Sequence, residues 1–558
     1  MGTSKLRFAC ALIALAVPAV AAAQDAPQRP TDSQAGRDSR GSSLNRTHVT
    51  PYIEAAQVLT QEIEPGDDFV TYTQVAAGID ALVVGNHSAA SVSLRYERRI
   101  GWEDSDNVDG DTISGVARAS IALVPREVTI EAGGLAAQTR VEGNGAASIG
   151  GFAGNDDYTS QVYAGYIGPS VHAMAGDVEI EGHYRFGYTR VEEPDAFVLA
   201  PGTVPVDLLD ESTIHAAFLR LGVAPRTSGL PVGFGLGGGW TEQNISNLDQ
   251  RVRDRYVRGD VTVPLGPTFA VVGGVGYEDV EVSSRDAQRD VNGDPIIGPD
   301  GRFVTDHSVP RQIAYQTDGL IWDVGVMWRP SRRTSLEAYF GERYGSESFH
   351  GSFSYQPNTR ESHYVAVYDN ITSFGGTLVN TVAGLPSQFN AFRNPITGQI
   401  GGCVASLQGG SCIGGSVSNL NAAVFRNRGV AYSYSADLGR TQVGTGVGYD
   451  RRKFIGAAGT VLGATNDVVD ESIWLAIYSS TQLDSRSSLT ANANANWFES
   501  GLAPSDDILG YSASLAYNRD LIRGLSATAA VAFDGVTREN LEDFMAASAL
   551  VGLRYSFF

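Results

Sequence analysis

The chain has 558 residues and a formal net charge of −21 at pH 7. A surface this acidic excludes nucleic acid as a partner, because a protein that binds phosphate backbones needs a basic face. Hydrophobic residues make up 42% of the chain. After Val20, however, no apolar run reaches about 18 residues, which excludes a membrane-spanning helix.

The N-terminus carries an export address. Residues 1–23 have two basic side chains, Lys5 and Arg7, then a short apolar run and a small-residue cleavage site after Ala23, the pattern of a secretory signal peptide. Residues 24–48 are polar and without periodicity. They predict a disordered periplasmic leader that is too short to form a plug domain.

From residue 49 onward the sequence alternates between apolar and polar side chains. Segments such as QVAAGIDALVV, SVSLRYER and GLIWDVGVMW place apolar residues at every second position, the period of a β-strand with two different faces. About 22 such segments follow one another, each of roughly 10 to 15 residues, which is enough for a tilted strand to cross a bilayer.

The connections between these segments sort by length. Short ones such as VGNHS, MAGDV and PLGPT alternate with long ones at 141–157, 192–210, 284–312 and 373–427. This is typical of a membrane barrel with short periplasmic turns and long external loops. In a bilayer, such strands must also close into a ring, because the backbone N–H and C=O groups at an open edge would have no hydrogen-bond partner. We therefore predict an all-β fold, a transmembrane antiparallel β-barrel of about 22 strands over residues 49–558 without a plug domain, with a secreted adhesin as the competing class.

The last strand, AASALVGLRYSFF, carries the first resemblance to a known class. Its alternation and terminal aromatics, Tyr555, Phe557 and Phe558, resemble the C-terminal strand of Gram-negative outer-membrane β-barrel proteins. The resemblance implies that these residues are read by the barrel-assembly machinery. It also implies an outer-membrane location with lipid and lipopolysaccharide as partners, and the oligomeric state stays open.

A narrower resemblance concerns the segment LIWDVGVMWRPSRRTSLEAYFGERYGS, which is similar to β-barrel porin families linked to exopolysaccharide systems. It implies passive passage of small hydrophilic solutes or of an exported glycan. The alternative is a non-conducting structural or export-accessory barrel of the envelope, associated with exopolysaccharide or preprotein translocation. An outer-membrane enzyme is a third and less favoured alternative. Chains that resemble this one are sometimes labelled preprotein translocase subunit YajC, but such subunits are small and have one transmembrane helix, and this sequence shows no helix of that kind.

Charged residues on the polar strand faces are the candidates for a charged lumen. They would create a transverse field that selects solutes, or simply pair with one another in a polar interior. The candidates are Arg95, Glu97, Arg118, Glu337, Arg343 and Arg554.

Residues near and beyond the strand ends indicate how the barrel meets its surroundings. Aromatic residues there, including Trp102, Tyr188 and Tyr344, fit interfacial girdles. Acidic runs at 103–111 and 192–195 are either solvated or bridged to lipopolysaccharide by divalent ions.

The connection 373–427 differs from the other long loops because it is rich in apolar residues and carries almost no acid. Such residues must be buried, so we predict that it folds into the lumen and narrows it, with an outward cap or a protein interface as alternatives. Cys403 and Cys412 flank a short glycine-rich stretch of an exported chain and predict a disulfide.

No motif for catalysis, a cofactor or a metal stands out. GFGLGGG has the glycine spacing of a dinucleotide site but no strand–turn–helix around it. DVNGDPIIGPDG starts like a calcium loop, yet Pro295 and Gly301 replace its expected glycine and glutamate. The eight histidines show no metal spacing. We therefore predict a protein that is not an enzyme and has no cofactor or metal.

Overall fold

The computed structural model describes most of the chain after the predicted leader. The described residues are 46–66, 68–102, 108–141, 147–149, 159–192, 211–227, 229–299, 301–409, 412–417, 420–421, 423–501, 507–539 and 542–557. The predicted signal peptide, all but the end of the predicted leader and Phe558 of the predicted assembly signal therefore lie outside the described residues.

A single antiparallel ring of 22 strands forms the body of the molecule. The strands of its first half are β1 (Arg46–Glu64), β2 (Phe69–Val84), β3 (Ser88–Gly101), β4 (Gly110–Val124), β5 (Val128–Val141), β7 (Thr159–Ala175), β8 (Val178–Glu192), β9 (Glu211–Val223), β10 (Gly233–Ile245), β11 (Gln250–Pro264) and β12 (Phe269–Ser284). Those of its second half are β13 (Gln312–Ser331), β14 (Thr334–Arg343), β15 (Ser346–Asn358), β16 (Glu361–Thr372), β19 (Val424–Asp437), β20 (Thr441–Ile455), β21 (Val469–Gln482), β22 (Ser487–Glu499), β23 (Ile508–Ile522), β24 (Leu525–Arg538) and β25 (Phe544–Ser556).

The last strand closes the ring on the first, as predicted. β25 pairs with β1 from Tyr52↔Ser556 to Glu64↔Met545, so neither strand leaves an open edge. Closure is the physical requirement for strands in hydrocarbon, where an unpaired backbone group costs several kcal/mol. β1 begins at Arg46, slightly before the start that the alternation predicted.

The two faces of the ring differ in chemistry. Large apolar side chains point outward and remain exposed, among them Leu320, which is 82% exposed, and Val551, which is 70% exposed. Their strand neighbours point inward and include small residues such as Gly552 as well as apolar ones, such as Ile321 and Leu550, that are buried inside the ring. This is the period-two pattern of the sequence, and the large exposed apolar side chains cover the outer face of the ring.

The connections fall on two ends of the ring. One end carries short turns such as Gly176 with its neighbour Asp177, and the other, which we call the loop end, carries the long connections. One connection at the loop end is unexpectedly short: Tyr344 and Gly345 alone join β14 to β15. Tyr344 is in the left-handed region with φ of 55° and is 4% exposed, so its predicted place in an aromatic girdle is wrong.

Besides the 22 strands of the ring, the described residues at the loop end form five further elements that contact its inner wall. They are β6 (Ala147–Ile149), helix α1 (Phe374–Gly384), the hairpin of β17 (Asn390–Arg393) and β18 (Ile400–Ala405), and the 3₁₀ turn Gly414–Ser416. All but β6 belong to the connection between β16 and β19. Two further 3₁₀ turns, Asn247–Asp249 and Val461–Thr465, cap connections at the same end.

No helix in the described part of the chain is long and apolar enough to cross a membrane.

Candidate functional site

Residues 373–423, which we call the lumen segment, cross the interior of the ring. The segment leaves the ring at β16 and returns at β19. In between, α1 packs on β5, β7, β8 and β9, β17 on β3, and β18 on β20, β21 and β22. β3 lies on the far side of the ring from β16 in the strand order, so these contacts span the lumen.

Helix α1 is seated by a cap and by apolar packing. Ser373 Oγ accepts a hydrogen bond from the Gly376 amide, 3.1 Å, and donates one to Gln243 Oε1 on β10, 2.8 Å. The cap satisfies one of the free N–H groups of the first turn and ties the helix start to the wall. Three side chains of α1, Leu378, Val379 and Val382, are fully buried against the wall.

Glycines on the wall make room for α1. A Cβ built on Gly187 would lie 2.6 Å from Val379 Cγ1, and one on Gly133 would lie 3.0 Å from Val382 Cγ1. Both distances are shorter than van der Waals contact. The helix can therefore lie this close to the wall only because these two wall positions carry no side chain.

Arg393 in the hairpin holds the segment to the far wall. Its Nη1 donates to Ser114 Oγ and to Gly398 O, both at 2.7 Å, and its Nη2 donates to Ser93 O, 2.9 Å, and Ser93 Oγ, 3.1 Å. Among the described residues its partners are hydroxyl and carbonyl oxygens. Sequence reasoning missed this residue because an isolated arginine in a loop gives no signal of its partners.

The predicted disulfide between Cys403 and Cys412 is confirmed, with an S–S distance of 2.04 Å. Cys403 is fully buried and lies in a cluster with Ala476 and Tyr478 of β21. A Cβ on Gly446 of β20 would lie 2.9 Å from Cys403 Sγ. The disulfide therefore sits directly against the wall on the side of β20 and β21.

Arg95 and Glu97, two of the predicted lumen residues, share one buried network on β1 to β3. Arg95 Nη1 binds Glu54 at 3.0 Å and its Nε binds Glu97 at 2.9 Å, while Arg99 Nε binds the other oxygen of Glu97 at 3.2 Å. Gln74 donates a further hydrogen bond to Glu97. Both interpretations of these residues, a charged lumen and mutual pairing in a polar interior, agree with this geometry, since the side chains face inward and also neutralise one another.

Arg118 and Arg554 line the same half of the interior. Arg118 donates to Ala383 O of the lumen segment at 2.7 Å and to Glu131 Oε2 at 2.9 Å. Arg554 binds Asp80 at 2.8 Å and stacks over the Tyr52 ring. Arg118 thus links wall and segment, whereas Arg554 belongs to the wall near the seam.

Arg343 and Glu337 lie on the opposite half, on β14. Arg343 binds Asp254 at 2.8 Å and lies 3.4 Å from Glu278. Glu337 pairs with Arg329. The six predicted lumen residues are therefore distributed over separate ion-pair clusters and do not form one site.

A belt of charged residues on β9 to β13 was missed. Arg220 binds Asp260 at 2.8 Å, and Arg258 binds the same carboxylate at 3.0 Å. Arg258 also binds Asp323 through Nη2 at 2.6 Å. A Cβ on Gly235 would lie 2.6 Å from Asp260 Oδ1, so the glycine-rich segment of β10 gives these side chains room to lie flat on the wall.

A second connection also enters the interior. β6 pairs with the end of β5 and contacts β22 and β23 across the ring, where Asn496 Nδ2 donates to Ala147 O at 2.8 Å. The predicted external loop 141–157 therefore contributes an inner strand. With the lumen segment, it covers the interior at the loop end.

The calcium-like segment is a turn closed by its own backbone. Asp290 Oδ1 accepts the amide hydrogens of Asn292, 2.8 Å, and Asp294, 2.9 Å. Chiefly the bond from Asp294 holds the pKa of Asp290 below its usual range. In the described residues, no group of three or more His, Cys, Asp or Glu side chains converges on a metal position.

The comparisons with known proteins concern the fold. No family model and no curated protein matches the chain. Similar solved structures include the FrpB iron transporter from Neisseria meningitidis, F3-3 variant, with 11% identity, a TM-score of 0.40 and coverage of 91% of this chain and 81% of that one. The ferric-catecholate import receptor Fiu from E. coli K12, open form, has 10% identity, a TM-score of 0.42 and coverage of 91% and 81%. The siderophore receptor PiuA from Acinetobacter baumannii has 8% identity, a TM-score of 0.37 and coverage of 90% and 82%.

The location follows from the ring itself. A closed antiparallel ring with an exposed apolar outer face is the form in which β-strands cross the outer membrane. The chain is a β-barrel of the outer membrane. The prediction of location is confirmed, while the narrower resemblance to porins of exopolysaccharide systems and the YajC label find no support in the comparisons.

The predicted function is wrong. We predicted passive passage through a porin-like lumen, with a non-conducting accessory barrel as the alternative. The similar solved structures are instead named as an iron transporter and as import or siderophore receptors. In addition, an open pore conflicts with the contacts of the lumen segment, which run from one wall to the other.

Proposed function

We propose that this barrel is a gated transporter and that the lumen segment is its gate. The observation that carries the proposal is the span of residues 373–423 from β16 to the hydrogen bonds of Arg393 on β3 and β4. A segment bound on both sides of a lumen blocks it, so a solute passes only after the segment moves.

The contacts of the segment suit a gate that can open. Part of its attachment is made by hydrogen bonds, such as Arg118 to Ala383 O and Arg185 to Asn380 Oδ1, 3.1 Å, beside the apolar packing of α1. A typical protein hydrogen bond contributes only about 1 kcal/mol net, because water replaces the partner. A solute that binds the open state better can therefore shift the population toward it.

The proposal is tested by conductance in planar bilayers. The full chain is compared with a variant that lacks residues 386–412 and carries a short glycine–serine bridge. We expect rare, brief openings from the full chain and a large, steady conductance from the deletion. Removal of 290–294, the exposed tip of another long connection, is the control and should leave the full-chain behaviour unchanged.

Two results would count against a gate. If the full chain conducts steadily at the level of the folded deletion variant, the segment does not close the lumen. If no solute raises the opening frequency of the full chain, gating by a solute is wrong. The solute panel starts with ferric catecholate chelates, after the names of the similar solved structures, and includes neutral sugars of equal size.

A further inference from the structure

The outer wall carries a groove of about 330 Å³. It faces away from the interior, on the apolar surface of the barrel. Leu94 and Tyr188, at its margins, are 39% and 36% exposed. The nine residues that line it include Ala117, Gly134, Gly165, Leu94, Tyr163 and Tyr188.

The strand register explains the groove. Ala117, Gly134, Gly165 and Tyr188 lie directly opposite one another on β4, β5, β7 and β8. Three adjacent strands thus present only a methyl group or a hydrogen at one level of the wall. Elsewhere this surface carries large side chains, such as Leu320.

The backbone does not require glycine at the floor of the groove. A Cβ on Gly134 would meet nothing closer than Ala164 O at 3.5 Å, and one on Gly165 nothing closer than Gly133 O at 3.5 Å. Glycine weakens a strand interior, and it commonly marks a place where a ligand approaches the backbone closely. The missing side chains therefore leave space for something other than the sheet.

The position of the groove selects its occupant. It lies in the half of the wall nearer the loop end, and Tyr163 at its margin is opposite Arg190, which forms an exposed ion pair with Glu192 at 3.1 Å. Such a pair marks the polar boundary of the bilayer. The groove thus begins just inside the hydrocarbon of the outer leaflet.

The size of the groove argues against a protein. A stable protein interface takes about 20–30 residues on each side, whereas nine residues line this groove. A single extended chain of methylene groups fits a narrow apolar channel that opens on lipid. We propose that the groove binds one acyl chain of a lipopolysaccharide molecule in the outer leaflet.

The test fills the groove from its floor. The variant Gly134→Val/Gly165→Val adds side chains where the sheet has room for them. Gly273→Val is the matched control, since Gly273 is an outward glycine of β12 with nothing within 4 Å of its Cβ position. Each protein is purified from outer membranes, delipidated with detergent and titrated with lipopolysaccharide or with phosphatidylethanolamine, and bound lipid is counted by native mass spectrometry.

We expect the wild type and Gly273→Val to bind one lipopolysaccharide tightly and the double variant to bind it at least tenfold more weakly. Equal binding by all three proteins overturns the proposal, and so does a clear preference for phosphatidylethanolamine. A wild-type dimer that the double variant loses would assign the groove to a second copy instead. If the double variant does not fold, as judged by heat-modifiable migration, Gly165→Ala replaces it and must show a smaller loss in the same direction.

Discussion

At the scale of single residues, the interior of this barrel is held together by arginine. The carboxylate of Glu97 forms ion pairs with Arg95 and Arg99. The carboxylate of Asp260 forms ion pairs with Arg220 and Arg258. The planar guanidinium carries five N–H donors in a fixed fork, so it can bind a carboxylate through two of them and still donate to other oxygens, whereas the lysine ammonium has three donors. Arg393 uses this capacity without a carboxylate partner among the described residues.

Replacement of Arg393 by methionine should loosen the lumen segment. Methionine keeps the apolar stem but removes the donors to Ser93 and Ser114. We expect a loss of about 2 kcal/mol in the attachment of the segment, or about a 30-fold rise in the open population. The open probability in planar bilayers measures this, with Arg360→Met on a short turn as the control. An unchanged open probability would show that Arg393 does not hold the gate.

A carboxylate at the loop end makes the outer connections sensitive to acid. Asp249 binds Arg285 at 2.8 Å and also Arg311, the two ends of the connection 285–311. Partial burial alone would raise the pKa of Asp249, but the hydrogen bonds from Arg285 and Arg311 outweigh it and hold that pKa below its usual range. The ion pairs therefore stabilise the connection above the unfolded value of about 3.9 and lose this effect as the pH falls through the lower folded value.

A spin label at Val309→Cys should report this loss. We expect constant mobility between about pH 7 and pH 5 and rising mobility below about pH 4. Asp249→Asn should be mobile throughout, with about 1 kcal/mol less stability in the connection, since the pairs are partly exposed. Asp484→Asn, at the opposite end of the barrel, should behave as the wild type. A pH-independent label in the wild type would contradict the role of Asp249.

At the scale of elements, the lumen segment is a small fold that depends on the wall. Helix α1 and the two strands of the hairpin are short, and the disulfide closes only a small ring. An isolated helix of the length of α1 is only marginally stable in water. Their apolar residues are buried in clusters that they share with β5, β7 and β21. The barrel wall thus supplies part of the core of its own gate.

Removal of the disulfide should loosen the hairpin. Cys403→Ser/Cys412→Ser opens a ring with a sequence separation of 9, for which the loss is about 2–3 kcal/mol by chain entropy. We expect intermediate conductance levels and faster hydrogen exchange in residues 400–405. Reducing agent should produce the same changes in the wild type and none in the variant. Identical records before and after reduction would show that the disulfide does not restrain the gate.

At the scale of the whole molecule, stability depends on the outward face meeting hydrocarbon. Leu320 lies near the middle of β13 and is 82% exposed. Leu320→Arg should cost about 2–4 kcal/mol at the bilayer midplane. Val291→Arg, in an external connection where Val291 is fully exposed, should cost almost nothing. Denaturant unfolding in lipid vesicles measures both, and equal small effects would mean that β13 does not face lipid.

The sequence predicted the architecture because the architecture is local. A strand with different faces shows itself within ten residues, so the alternation around Leu320 and the final strand was sufficient to predict the ring and its seam. The disulfide was equally local, since Cys403 and Cys412 are close in the chain. Some local features were not predicted, such as the two-residue turn that buries Tyr344.

The pairing of residues across the lumen is a different matter. Arg393 and Ser93 are 300 positions apart, and only closure of the ring brings β3 opposite the lumen segment. The same holds for Gly187 under α1 and for the row of Gly134 and Gly165 on the outer wall, whose meaning depends on the register of neighbouring strands. The sequence by itself determined that the chain forms a barrel with an apolar exterior, because a period of two is written residue by residue. Only the tertiary structure decided what fills and what decorates that barrel, because those contacts depend on which distant strands the closed ring sets face to face.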